Sequence, residues 1–311
     1  MKNSFVIGSR GSKLALTQAE WVKAKLAFVN PALDVRVEII KTSGDVKTEP
    51  LSVIGGKGVF TKELEEALLD GRIDIAVHSL KDLPTVLPEA LAIAAICERE
   101  DPRDALVLNR DINGQTVSIG TLPVRAVVGT SSQRRLAQLK HLRSDIVIKD
   151  LRGNVDTRLC KLDDGQYDAL ILASAGLRRL GLAHRISAPI PFEQMLPAVG
   201  QGAIAIETRV ESKATIDVVS RLDHEATRLA CNAERALLRA LGGGCQLPIA
   251  AHAVVYYGQL RLEGLVADAE GKQIIRDHIS GPTSEAAKLG AQLADRLLQC
   301  GADNLLAERQ Q

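Results

Sequence analysis

The 311-residue chain is poor in aromatic side chains, which make up 3% of its residues. Many proteins that bind single-stranded nucleic acid stack bases on aromatic rings, and this chain offers few such rings. The formal net charge is +1, so no overall field attracts a nucleic acid or an anionic membrane. The composition therefore argues against a nucleic acid as the partner of this chain.

The cysteines lack the spacing of a metal site or a disulfide framework. There are five of them, an odd number, with no CxxC pair and no Cys/His metal spacing. Four lie in apolar segments that read as strands or helices, and we expect these four to pack in cores: Cys97, Cys160, Cys231 and Cys300. We therefore expect neither a bound metal nor structural disulfides.

No apolar run reaches the length that a membrane-spanning helix needs. The residues from Met1 to Gly8 contain one lysine and continue into a strand-like segment, which is unlike a signal peptide. These features predict a cytoplasmic protein without a membrane partner, and we expect it to be a monomer.

A strand–turn–helix pattern is present twice. A strand-like run ends in a turn of small residues and a helix follows, first over 5–28 and again over 126–142. In each copy a second strand with a glycine turn comes next, and a closing strand follows later, at 71–79 and at 165–174. Three matching pairs in the same order indicate a duplicated α/β unit with mainly parallel sheets.

The pattern changes after a glycine-rich hinge at 197–202 and a strand at 203–207. A helical stretch at 223–241 ends at a run of glycines, as many helices do. Alternating strands over 249–280, with turns at Tyr257-Gly258 and Glu270-Gly271, precede a last helix at 284–299. We predict a third, α+β unit here.

Arginines are concentrated at strand ends and turns. In an α/β fold, ligands bind beyond the carboxyl ends of the strands, where helix N-termini present free N–H groups. Arginine suits planar recognition of carboxylates and phosphates, so we expect a polyanionic small molecule in a cleft between the two units. For any one pair, a solvated helix face is the alternative. The arginines are Arg10, Arg134, Arg135, Arg152, Arg158, Arg178 and Arg179.

Two more residues have the placement of reactive groups. Asp82 follows the closing strand of the first copy, and Pro84 fixes the turn, although an aspartate in such a place is more often a turn or cap residue. His78 lies within that strand, and we interpret it as structural. Cys245 follows three glycines that leave its loop bare, whereas the alternative is a small buried thiol after a turn.

Five motifs in this order resemble the hydroxymethylbilane synthase family, also called porphobilinogen deaminase. The resemblance covers essentially the whole chain, and no functional motif departs from the family pattern. The motifs are HSLKDLP at 78–84, VGTSSQRR at 128–135, LRGNVDTR at 151–158, PAVGQG at 197–202 and GGCQLP at 243–248.

The resemblance implies an α/β fold with two similar domains of the type 2 periplasmic-binding-protein kind, followed by an α+β domain. After the hinge the chain returns to the first domain. The implied boundaries are 1–99 with 200–219 for domain 1, 100–199 for domain 2 and 220–311 for domain 3.

The resemblance also implies the reaction. Four porphobilinogen molecules lose ammonia, are joined head to tail, and are released by water as hydroxymethylbilane. A dipyrromethane cofactor, made from the same substrate and held through a thioether on Cys245, primes the growing chain. Each ring carries two carboxylates, which agrees with the concentration of arginine.

The roles of individual residues follow from the same match. Asp82 is the expected catalytic group, near the pyrrole nitrogens and the leaving amine. The expected cofactor-binding residues are Cys245, Lys81, Thr130, Ser131, Ser132, Arg134, Arg135 and Arg158. The expected substrate-binding residues are Arg10, Ser12, Arg152, Arg179 and Gln201.

Two other classes of protein compete with this interpretation. A non-catalytic protein of the same fold that binds a carboxylate metabolite would need neither an exposed Cys245 nor a third domain. A hydrolase with a cysteine nucleophile would need a histidine partner, and no Cys/His signature is recognisable.

Overall fold

The computed structural model describes residues 4–43, 60–109, 117–243 and 247–307. The chain forms two compact units. The first comprises Met1–Glu100 and Ala203–Arg228, and the second comprises Asp101–Gly202 and Leu229–Gln311. The three-domain boundaries stay a prediction.

The first unit contains a five-stranded mixed sheet with the order β2-β1-β3-β10-β4. β1 pairs in parallel with β2 and β3, whereas β10 runs antiparallel to β3 and β4. The described residues of this unit form three α-helices. The elements are β1 (Ser4–Ser9), α1 (Lys13–Val29), β2 (Asp34–Ile39), α2 (Lys62–Leu69), β3 (Ile75–Ser79), β4 (Leu91–Ile96), β10 (Ile204–Arg209) and α6 (Lys213–Val219).

Apolar side chains cover both faces of this sheet. Phe5 and Ile7 pack with Val22 of α1 on one face. Ala76 packs with Leu64 of α2 on the other. Because both faces are buried, strands of this kind read as continuous apolar runs rather than as alternating ones.

The second unit repeats this plan with the strand order β7-β6-β8-β5-β9. β6 is parallel to β7 and β8, and β5 is antiparallel to β8 and β9, as β10 is to its neighbours in the first unit. The predicted duplication is confirmed. The elements are β5 (Asp104–Leu108), β6 (Val127–Gly129), α3 (Gln133–Leu142), β7 (Val147–Lys149), α4 (Val155–Asp163), β8 (Ala169–Ala173), α5 (Ser174–Arg179) and β9 (Ala188–Pro189).

The C-terminal part of the chain is an antiparallel three-stranded sheet covered by helices, which confirms the predicted α+β region. Tyr257 and Gly258 both have positive φ, as a two-residue hairpin turn requires. Gly290 lets two helices approach, since a Cβ there would lie 2.3 Å from the Ala233 carbonyl oxygen. The elements are α7 (Glu225–Ala240), β11 (Ile249–Tyr256), β12 (Gln259–Ala267), β13 (Ile274–Pro282), α8 (Ala286–Leu297) and α9 (Asp303–Ala307).

The cysteine prediction is correct in two places and wrong in two. Cys97 and Cys231 are buried, whereas Cys160 and Cys300 are exposed. Cys160 follows buried Leu159 on α4 but lies on the solvent side of that helix. Cys300 lies at the turn after α8, beside Gly301, whose φ is 98°. Within the described ranges, no helix is long and apolar enough to span a bilayer.

Candidate active site

A pocket lies at the carboxyl ends of β1 and β3 in the first unit. α1 begins after β1 with Ser12 as its N-cap, and a short 3-10 turn, Leu80–Asp82, follows β3. The cavity has a volume of about 60 Å³. This is the position at which α/β folds bind ligands. Its lining residues are Arg10, Ser12, Leu14, Ala15, Gln18, Phe60, Thr61, Val77, His78, Ser79 and Asp82.

Cationic and hydrogen-bonding groups line this pocket. The Arg10 guanidinium carbon lies 4.1 Å from the centroid of the Phe60 ring, a cation–π contact that orients the side chain. Ser12 Oγ accepts a hydrogen bond from Ala15 N at 3.3 Å. The amino end of α1 carries partial positive charge, so this side of the pocket favours an anion.

Asp82 contributes a carboxylate to the same pocket. It is exposed, and Lys81 beside it is half-buried. Leu80 is buried and its carbonyl accepts a hydrogen bond from Leu83 N at 3.2 Å, so the turn that carries Asp82 is anchored. The pocket therefore brings together Arg10, Ser12 and Asp82.

The equivalent turn in the second unit carries hydroxyl groups. Thr130 is buried, and its Oγ1 accepts a hydrogen bond from Ser132 N at 3.2 Å. Ser131 Oγ donates to Leu151 O at 2.6 Å and accepts from Leu151 N at 2.9 Å. These bonds tie the turn before α3 to the loop that carries Arg152.

Arg134 and Arg135 lie on α3 but point inward, with 5% and 6% of their surface exposed. Both pair with Asp104 of β5, which is fully buried. Arg134 Nη1 lies 2.7 Å from Oδ2, and Arg135 Nη2 lies 2.8 Å from Oδ1. Burial alone would raise the pKa of Asp104, but the two guanidinium groups hold it well below its ordinary value.

Gln201 joins the same cluster. Its Nε2 donates to Asp104 Oδ1 at 2.9 Å and to Pro102 O at 2.7 Å. Arg179 is half-buried at the end of α5, and its Nη2 donates to Gly202 O at 2.6 Å. The hinge segment is therefore held by the hydrogen bond from Arg179 and by the hydrogen bonds of its own Gln201.

Arg152 and Arg158 are half-buried on the loop before α4 and on α4 itself. Arg152 Nε lies 2.7 Å from Asp150 Oδ2, and Arg158 Nε donates to Gly153 O at 2.8 Å. Cys245 lies outside the described residues.

Asp104 is the site residue that sequence reasoning missed. It follows the charged run Glu98 to Arg103, so it reads as part of a polar loop. Its role depends on Arg134 and Arg135, which are 30 and 31 positions away. An aspartate directly before an apolar strand was the available signal, and it is a weak one.

Comparison with known proteins identifies the family. A model described as "Porphobilinogen deaminase, dipyromethane cofactor binding domain" matches residues 5–217, and one described as "Porphobilinogen deaminase, C-terminal domain" matches residues 228–299. The chain belongs to the porphobilinogen deaminase family. The prediction of a porphobilinogen deaminase with a dipyrromethane cofactor is confirmed by these matches.

Individual relatives agree with the family match. The chain is 50% identical over 303 residues to a porphobilinogen deaminase of Pelobacter propionicus, covering 97% of this chain and 96% of that protein. It is 50% identical over 303 residues to one of Synechococcus elongatus, covering 97% and 94%. Among solved structures, substrate-binding domain 2 of GlnP from Lactococcus lactis, in its open conformation, is similar with a TM-score of 0.44. The identity is 13%, over 78% of this chain and 91% of that one.

Proposed function

We propose that the pocket beside Asp82 is where this chain condenses four porphobilinogen molecules head to tail into hydroxymethylbilane, and that Cys245 carries the dipyrromethane cofactor. The observation that carries the proposal is the pocket itself, which places the Asp82 carboxylate with Arg10 and the N-cap of α1. Arg10 and the N-cap suit a substrate carboxylate, and the Asp82 carboxylate suits developing positive charge.

Asp82 acts on the charge that the reaction generates. Loss of ammonia from porphobilinogen leaves an electron-poor azafulvene, and attack by the next pyrrole passes through a cationic ring. A carboxylate near the pyrrole N–H stabilises that charge, and it can also exchange protons with the leaving amine. Exposure of Asp82 at the pocket allows contact with a bound ring.

The residues around α3 fit a ligand with several carboxylates. When bound, the cofactor would supply a free pyrrole end to which the first substrate ring could be joined. Arg134 uses Nη1 for both Asp104 and Leu196 O, so its Nε and Nη2 have no acceptor within the described parts of the chain. Ser131 and Ser132, at the amino end of α3, add hydroxyl and N–H donors.

The other predicted binding residues complete this donor set. We assign Lys81, Thr130, Arg135 and Arg158 to the cofactor, and Arg152, Arg179 and Gln201, with Arg10 and Ser12, to the substrate and the growing chain. Arg135 donates through Nε and Nη2 to Asp104. Its role toward the cofactor is therefore to hold the cluster of Asp104 and Arg134 in place. We further propose that the protein is cytoplasmic and that it is a monomer. Light scattering of the purified protein tests whether it is a monomer.

Intact-protein mass spectrometry tests the function. We expect the purified chain to carry a stable addition of two pyrrole units, and peptide mapping to place it on Cys245. An unmodified chain that binds porphobilinogen without converting it would instead support the non-catalytic binding protein.

A further inference from the structure

A buried polar cluster lies on the face of the first sheet that α2 covers. His78 on β3 is 5% exposed and Glu207 on β10 is fully buried, and His78 Nε2 lies 3.0 Å from Glu207 Oε2. In the antiparallel register His78 opposes Ala205 and Glu207 opposes Ala76. Residues two apart on a strand share a face, so the pair lies in a largely apolar layer.

Two carboxyl oxygens in this layer make no hydrogen bond to any residue that the structure describes. They are Oε1 of Glu207 and Oε1 of Glu65 on α2, and both are buried. Burial raises the pKa of Glu65; the nearby Thr61 hydroxyl opposes the rise, and the negative charge of Glu207 adds to it. Buried polar atoms without partners are rare, because moving a polar atom out of water without a replacement hydrogen bond destabilises the folded state. Two such atoms beside a histidine make this layer a candidate for a functional role.

The cluster adjoins the pocket that holds Asp82. His78 itself lines that pocket, and so does Thr61, which directly precedes α2 and its Glu65. Glu207 engages Nε2 of His78, whereas Nδ1 forms no hydrogen bond to any described residue. A carboxylate at one ring nitrogen fixes the tautomer, stabilises the imidazolium and leaves the other nitrogen as the proton acceptor.

The chemistry of chain growth requires such an acceptor. In each addition the C–N bond of a protonated aminomethyl group breaks and ammonia leaves. The free α-carbon of the neighbouring pyrrole attacks, a C–C bond forms, and the α-carbon loses its proton as aromaticity returns. Ammonia takes up one proton, so the net change moves one proton from carbon to nitrogen and needs no other reactant.

We propose that His78 receives the α-carbon proton at Nδ1 and passes it to the departing ammonia, with Glu207 as its positioning residue. Asp82 is then left to stabilise the cationic ring. Among the residues that the structure describes, the charged groups near His78 are Glu207 from β10, Glu65 from α2, and Arg10 and Asp82, which line the same pocket. This inference rests on the proposed role of the pocket in porphobilinogen condensation.

The test is single-turnover addition of porphobilinogen to cofactor-loaded protein, measured across pH. His78→Gln should load cofactor yet add porphobilinogen about a hundredfold to ten-thousandfold more slowly, because it lacks the proton acceptor. It should also lose the limb of the rate profile that rises with pH. Glu66→Gln, at an exposed position on α2, is the control and should behave like the parent.

Glu207→Gln distinguishes a positioning role of the Glu207 carboxylate from a packing role, because it keeps the size of the side chain and removes its charge. Removing the carboxylate destabilises the imidazolium, so the midpoint of the rising limb should move to lower pH, and Glu207→Asp should move it back toward the parental value. This shift tests the proposal even if His78→Gln does not fold. A parental rate profile in His78→Gln, or an unmoved midpoint in Glu207→Gln, overturns it. If the parent itself lacks the two-pyrrole addition and adds no porphobilinogen, the proposed function fails instead.

Discussion

Asp82 combines an exposed carboxylate with an anchored backbone. The 3-10 turn that carries it begins at buried Leu80, whose N–H donates to Ala203 O at 3.0 Å. The turn is thereby fastened to the segment that leads into β10. A charged group held in this way reaches a ligand without first having to be ordered.

Substitution of Asp82 should separate charge from shape. Asp82→Asn keeps the size of the side chain but removes its charge, so we expect a loss of about a hundredfold to ten-thousandfold in the addition rate of cofactor-loaded protein. Asp82→Glu keeps the charge one methylene further out and should be slow but measurable. Single-turnover addition of porphobilinogen is the measurement. Near-parental elongation by Asp82→Asn would make Asp82 an ordinary turn residue.

Cys245→Ser should fold but carry no pyrrole addition, since a thiolate is a far better nucleophile than a hydroxyl group. The structure supplies matched controls, because Cys160 and Cys300 are exposed thiols. Alanine at either position should leave the addition in place, as measured by intact mass. Mapping of the pyrrole units to Cys160 or Cys300 would show that accessibility alone, and not the loop around Cys245, selects the thiol.

At the scale of elements, one carboxylate holds a strand, a helix and the hinge together. Asp104 at the start of β5 accepts hydrogen bonds from two arginines of α3 and from Gln201 of the hinge. Breaking a buried ion pair from one side leaves an uncompensated charge. Asp104 therefore influences the binding residues without needing to touch a ligand.

Asp104→Asn should lower the free energy of unfolding by about 3–5 kcal/mol, because two buried guanidinium groups lose their counter-ion. The folded-state pKa of Asp104 is depressed, so its contribution is present above the ordinary value of 3.8 and is lost as the pH falls through the folded value. Urea unfolding at several pH values should thus show a flatter acid limb for the variant. Asp164→Asn, at an exposed position, is the control, and equal limbs for Asp104→Asn and the parent would contradict the role of the cluster.

The crossing of α7 and α8 depends on Gly290. Gly290→Ala would place a Cβ 2.3 Å from Ala233 O and 2.8 Å from Ala236 Cβ, so the helices must move apart. We expect a loss of about 1–3 kcal/mol of stability. Gln292→Ala, at an exposed position on the same helix, should change stability by less than about 0.5 kcal/mol. Thermal unfolding followed by circular dichroism distinguishes the two outcomes.

At the scale of the whole molecule, the duplicated plan was predictable because its signals are local. Each copy has an apolar strand, a turn of small residues and a helix within about 30 residues. The strands β4, β5 and β9 were not recognised. β5 follows a charged run, and its place is set by pairing with β8, more than 60 positions away in the chain. Pairing between strands so far apart in the chain does not show in the local pattern of apolar and polar residues.

The site was predictable to a similar extent. Arg10, Ser12 and Asp82 do share a pocket, because strand ends of a parallel sheet meet at one edge. The inward direction of Arg134 and Arg135 was not predictable, since it depends on Asp104 from a distant strand. Likewise, the partner of His78 is 129 positions away.

The returning strand β10 has a consequence for the order in which the molecule is made. It lies between β3 and β4, yet about a hundred residues are synthesised after β4 before Ile204 is added to the chain. Until then β3 and β4 lack the strand that pairs with both of them, and unpaired strand edges are prone to pair with other chains. All five strands of the second α/β sheet lie within 104–189, so these strands can pair first. The sheet of the first unit is therefore completed after the sheet of the second unit, although its first strands are synthesised earlier.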